Sequence, residues 1–163
     1  MFMATGTTNH HLAPKGATFV RTINRLEPDE SFGPRRNLPG AQLPQGFSDW
    51  GEYHTLKVEI GISQGWPALD RKVSQWWPFP GLRYIICIRV SPRQEVQQFK
   101  FYTVNQNAPP QLNPTVIANP TIIGLDSRVL LGLQPGAPLP VGFADPNVII
   151  DLFEVVQEAI AQI

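Results

Sequence analysis

Between Leu56 and Ile60 apolar and polar residues alternate strictly, so Leu56, Val58 and Ile60 face one way and Lys57 and Glu59 the other. That pattern predicts a half-buried strand. Ser63 then offers a helix N-cap, and Pro67 falls near the first turn, where its missing N–H does no harm. The helix is predicted to run to Trp77, where Pro78 and Pro80 stop it. Arg83 to Val90 follows as a nearly continuous apolar run, the mark of a strand buried on both faces. Strand, helix and buried strand at this length predict a right-handed βαβ crossover with parallel strands.

The flanks are less regular. Met1 to about Lys15 is polar and aperiodic and reads as a flexible arm ahead of one domain over 16–163. Thr18 to Ile23 and Glu27 to Phe32 are strand candidates, the second entered at Pro28. Gly33 to Gly51, with Pro34, Pro39 and Pro44, reads as loop. Gln97 to Val104 alternates as a strand, and Asn105 to Pro114 is loop. Thr115 to Gly124 and Arg128 to Leu133 give two further strand candidates. Asp145 is placed to cap a final helix from Pro146 to about Ala161, with Val148, Leu152, Val155, Val156 and Ala159 as its apolar stripe.

Composition keeps this picture within a single domain: 163 residues are enough to bury a core without staples. The lone Cys87 sits inside an apolar run and has no partner for an internal disulfide, which fits a reducing compartment. No apolar stretch reaches membrane-span length and the N-terminus lacks a signal-peptide pattern, so the expectation is a soluble, intracellular protein without membrane partners. Basic and acidic residues balance at 13 each, without the basic excess typical of nucleic-acid binders. A local basic face would have to come from Arg35, Arg36, Arg71, Lys72 and Arg93. No Ser-His-Asp order, zinc-ligand spacing or phosphate-cradling glycine loop is present. His10 and His11 are adjacent rather than at metal-ligand spacing, and His54 reads as structural.

Three residues stand out chemically: Asp29, Glu59 and Lys72. Glu59 is the acid on a strand that is otherwise core-like. Lys72 falls within the helix stripe of Leu69, Val73 and Trp76, where a cation needs a partner or must snorkel outward. Trp66, Trp76 and Trp77 could form a base-stacking platform, but at helical spacing they read as core and helix-end packing.

Leu26-Glu27-Pro28-Asp29-Glu30, then Val58-Glu59-Ile60-Gly61-Ile62-Ser63-Gln64, then Leu69-Asp70-Arg71-Lys72 running into Trp76-Trp77, resembles the PD-(D/E)XK nuclease superfamily, most closely its Uma-type branch of restriction endonucleases. The resemblance covers roughly Gly16 to Val104. It implies an α/β fold with a restriction-endonuclease-like mixed β-sheet, a βαβ crossover and a C-terminal helix. It also implies a Mg²⁺-dependent (or Mn²⁺-dependent) endodeoxyribonuclease, with DNA as partner. Asp29, Glu59 and the carbonyl of Ile60 would be the metal ligands, Lys72 would orient the nucleophile, and Gln64 and Lys57 are second-shell or substrate candidates. The chain departs from the family pattern at Gly61, where the superfamily places a lysine; Lys72 from the helix is the expected substitute, with Lys57 on the strand as the second candidate. Lys57 is expected to be the more solvent-near of the two lysines.

The competing reading is a non-catalytic descendant of this fold serving as a binding or assembly module. Neutral charge, Gly61 and the apolar, Pro-rich C-terminal third point that way. That third, Val129 to Phe143 in particular, is the candidate surface for a homo-oligomer or a protein partner.

Overall fold

The computed structural model describes residues 12–14, 30–36, 38–140 and 146–161, with side chains from residue 31 onward. The strand candidate Thr18 to Ile23, and the residues Asp29 and Asp145, lie outside the described residues.

The fold is mixed α/β, built on a six-stranded sheet in the chain order β1 to β6, with a separate two-stranded sheet β7–β8. Its strands are β1 (Leu12–Pro14), β2 (Glu30–Pro34), β3 (Leu56–Gly61), β4 (Tyr84–Val90), β5 (Gln97–Thr103) and β6 (Thr115–Val116). Leu12–Pro14, within the segment read as an arm, thus forms a short strand against β2. The β3–β4 pair is parallel, from Leu56 opposite Tyr84 to Gly61 opposite Arg89, as the apolar pattern predicts. Every other pairing in this sheet is antiparallel. The connection between the parallel strands carries helix α1 (Trp66–Trp76), whose buried residues are the predicted stripe Leu69, Val73 and Trp76. Its N-cap is Gly65 rather than Ser63, and no side chain caps it. Pro67 in the first turn fixes the helix start instead.

The alternation in β3 sorts residues between two cores. Leu56 and Val58 join Tyr84, Ile86 and Ile88 in a large cluster beneath the C-terminal third, which supplies Leu125, Leu130, Val148 and Val156. The opposite face carries Ile85, Cys87 and Tyr102, covered by Val73, Trp76, Trp77 and Phe79. Lys57 and Glu59 lie on this second, helix-covered face.

Three assignments in the C-terminal third differ from the sequence reading. The segment Thr115 to Gly124 is two strands, β6 and β7 (Ile122–Asp126), separated by a turn in which the Thr121 hydroxyl donates to Ala118 O. Arg128 to Leu133 is no strand: Ser127–Leu130 forms the short helix α2, because the Asp126 carboxylate accepts from the N–H groups of Arg128 and Val129 and turns the chain. The final helix starts late. Asn147–Asp151 is strand β8, paired with β7 and burying Val148 and Ile150 while Asn147 and Ile149 face outward. Helix α3 runs only over Leu152–Ala161, with Asp151 Oδ1 accepting from Phe153 N at 3.0 Å. The stripe placed on one long helix is therefore shared between a period-two strand and a shorter helix. No described helix is long and apolar enough to cross a membrane.

Candidate functional site

Strand β3 and helix α1 bring Glu59 and Lys72 together. Lys72 Nζ donates to Glu59 Oε2 at 3.2 Å, and the Trp76 indole N–H donates to Oε1 at 2.9 Å. Glu59 is only 1% exposed, whereas the Lys72 side chain is 30% exposed and reaches in from the helix edge. Residues 72 and 76 are one helical turn apart, so a single helix face delivers both donors to one carboxylate.

Position 61 has little room for a side chain. A Cβ there would stand 3.1 Å from Gln64 Cβ and 3.3 Å from Leu69 Cδ1. The turn into α1 closes over this position and leaves no lane for a long side chain. Gln64 itself is exposed at that turn, outside the Glu59 network. The Ile60 side chain belongs to the opposite core, leaving its backbone carbonyl as the relevant donor.

Lys57 is corrected by the structure. Far from lying near solvent, it is 1% exposed. Its Nζ contacts His54 Nδ1 and sits 3.7 Å over the Trp76 ring, a cation–π position. His54 Nε2 faces the Gly51 carbonyl at 3.0 Å. Since that carbonyl only accepts, Nε2 carries the proton and Nδ1 accepts from Lys57. Burial depresses the Lys57 amine to about 7, with the Glu59 charge working the other way. His54 is thus structural in effect, but as the polar partner of a buried lysine.

A second buried cation lies farther along the same face. Lys100 on β5 is 7% exposed and pairs with Asp70 Oδ1 at 2.9 Å, with its Nζ 4.7 Å over the Trp66 ring. Trp66 donates to Gln98 Oε1 at 3.0 Å. Sequence reasoning missed this pair, though the signal existed: Lys100 alternates with Phe99 and Phe101, and so had to lie on the face that α1 covers. Cys87, between the two lysine-bearing strands, is fully buried and its thiol is raised by burial. Trp76 and Trp77 are buried at 1% and 8% exposure, which is packing rather than an open stacking platform. Arg35, Arg36, Arg71 and Arg93 are exposed.

Among the described residues no three His, Cys, Asp or Glu side chains converge as a metal-binding group. The described part of the expected donor set is the Glu59 carboxylate and the Ile60 carbonyl; Asp29 lies outside the described residues. These are hard oxygen donors of the kind Mg²⁺ and Mn²⁺ take. Comparison with protein-family profiles, with curated proteins and with solved structures finds no match for this chain.

Proposed function

We propose that the chain is a restriction-endonuclease-like, metal-dependent phosphodiesterase acting on DNA, with Glu59 and Lys72 at its centre. The reading is supported by Lys72, from the helix of the βαβ unit, which meets Glu59 at 3.2 Å where Gly61 has little room for a side chain. In this reading Asp29, Glu59 and the Ile60 carbonyl hold a divalent cation, which when bound supplies an acidified water and charge neutralisation at the phosphate. The protein's own residues divide the remaining work. Trp76 pins Oε1 from the buried side and leaves Oε2 toward the half-exposed edge. Lys72, partly in solvent, places its ammonium where negative charge develops on a phosphoryl group.

A second reading, a non-catalytic binding or assembly module of the same ancestry, is favoured by one observation. Glu59 is 1% exposed with a donor on each oxygen, an arrangement that also serves as a plain structural ion pair.

One experiment separates the two. Calorimetric titration of the full chain with Mn²⁺ and Mg²⁺, alongside cleavage assays on single- and double-stranded DNA, should show a cation site and turnover that Asp29→Asn and Glu59→Gln both remove. Absence of specific cation binding and of cleavage on every DNA form would leave the module as the better reading.

A further inference from the structure

A different cleft lies at the amino-terminal end of the parallel pair, where Tyr53 precedes β3 and Arg83 precedes β4. Its volume is about 610 Å³, within the range of small-molecule sites. Tyr53 forms part of its wall and is 5% exposed. Gly81 and Gly132 clamp the ring. A Cβ at Gly81 would stand 2.5 Å from Tyr53 Cε1, and one at Gly132 would stand 2.3 Å from the hydroxyl oxygen. Both glycines have positive φ, +82° and +66°, so backbone and space alike demand glycine there. The ring is held in place, and its hydroxyl has no hydrogen-bond partner among the described residues. A hydroxyl on the cleft wall without such a partner is free to donate to a bound acceptor.

The charges around the hydroxyl indicate what kind of acceptor. Arg83 is exposed on the wall and acts on the Tyr53 phenol, opposing the upward push of burial. Burial prevails, so the phenol keeps its proton at neutral pH and is a donor. Arg128 is held by its Nε, which donates to Ala137 O at 2.8 Å, leaving the rest of its guanidinium for a ligand. The wall also contains one carboxylate, Asp126, which is already engaged: Oδ1 accepts from the N–H groups of Arg128 at 2.9 Å and Val129 at 3.3 Å. Leu43, Pro44 and Leu133 add apolar wall, and the Gln134 amide reaches Gln42 Oε1 at 3.4 Å, joining the two sides.

We propose that this cleft binds a small organic oxyanion with a ring-sized apolar body, its head on the Arg83 and Arg128 guanidiniums and the Tyr53 hydroxyl. Guanidinium forks suit phosphate and carboxylate alike. The site is independent of the Glu59–Lys72 centre and stands whether or not that centre is catalytic.

The test is calorimetric titration of the full chain with phenyl phosphate, benzoate and neutral benzyl alcohol. An anionic probe should bind and benzyl alcohol should not. Phenyl phosphate alone would identify a phosphate head, benzoate alone a carboxylate, and both together the shared oxyanion chemistry. Tyr53→Phe keeps the clamped ring and removes only the hydroxyl; Arg83→Gln removes an exposed charge. Each should weaken the bound anion about tenfold, as loss of one hydrogen bond to a charged group does. No binding of either anion below millimolar concentration, binding of benzyl alcohol as tight as that of the anions, or unchanged affinity in either variant would overturn the proposal.

Discussion

Trp76 binds Glu59 by its edge, donating the indole N–H to Oε1 at 2.9 Å, while its ring face carries Lys57 Nζ at 3.7 Å. One side chain thereby bridges an acid and a base that stand two residues apart on the same strand. Neither of those polar groups would be tolerable in the core alone. Trp76→Phe keeps an aromatic face for Lys57 but removes the donor to a buried carboxylate. The expected loss is about 1–3 kcal/mol of stability, read as a lower urea midpoint at unchanged slope. An unchanged midpoint would mean that the indole bond contributes nothing.

Lys57 gives the fold a pH dependence whose sign follows from its burial. In the unfolded chain its amine has the ordinary value of 10.5; in the fold burial lowers it to about 7. Between these values the unfolded state binds more protons, so stability should rise with pH from about 7 toward 10.5, and the cost of burying the charge is fully present below 7. The slope contributed by this one group approaches about 1.4 kcal/mol per pH unit. Lys57→Met, which keeps the stem on Trp76, should flatten the curve over that window. Chemical denaturation at a series of pH values is the measurement, and an equal slope in both proteins would assign the effect elsewhere.

The parts of the structure legible in the sequence are those where one periodicity held over a whole element. Leu56 to Ile60 could be assigned by face because every other residue was apolar, and Leu69, Val73 and Trp76 because their spacing matches a helical turn. The same logic made Lys72 visible as an inward cation needing a carboxylate. Where two periods abut, it failed. Val148 belongs to a strand and Leu152, Val155 and Val156 to a helix, yet a helical stripe can be drawn through all four. Lys57 was misjudged for another reason: strand position gives a face, but burial depends on what covers that face. Here the cover is Trp76 and Phe79, packed edge-on with ring centroids 4.6 Å apart. Tyr53 carried no signal at all, since its clamp is made by glycines distant in the chain.

That clamp yields a paired prediction. Gly132 and Gly136 both hold positive φ, +66° and +79°, but a Cβ meets Tyr53 at Gly132 and nothing within 4 Å at Gly136. Gly136→Ala should therefore show the backbone cost alone, about 1 kcal/mol. Gly132→Ala adds displacement of a buried ring and should cost about 2–4 kcal/mol in total. Thermal unfolding of the two variants side by side gives the difference; equal losses would show that the Tyr53 contact relaxes freely.

Lys72 and Lys57 should separate in function as they do in burial. Lys72 is 30% exposed and meets Glu59 from the helix edge, whereas Lys57 is enclosed between His54 and Trp76 at 1% exposure. Removing Lys72 leaves Glu59 with its Trp76 bond, and solvent can enter from the vacated helix edge. Lys72→Ala should therefore cost only about 1–2 kcal/mol. Lys57→Ala opens a cavity beneath Trp76 and should cost about 2–4 kcal/mol, so as a control for Lys72→Ala it would confound function with folding. Lys57→Met is the appropriate one. In a DNA-cleavage assay on folded protein, Lys72→Ala should abolish turnover, because Lys72 is the cation that meets Glu59 from its half-exposed helix edge. Lys57→Met should retain most of it, since that amine is sealed behind the indole. The opposite ranking, with Lys57→Met inactive and Lys72→Ala intact at equal folded fraction, would transfer the role to the buried lysine and require Trp76 to move aside in the active form.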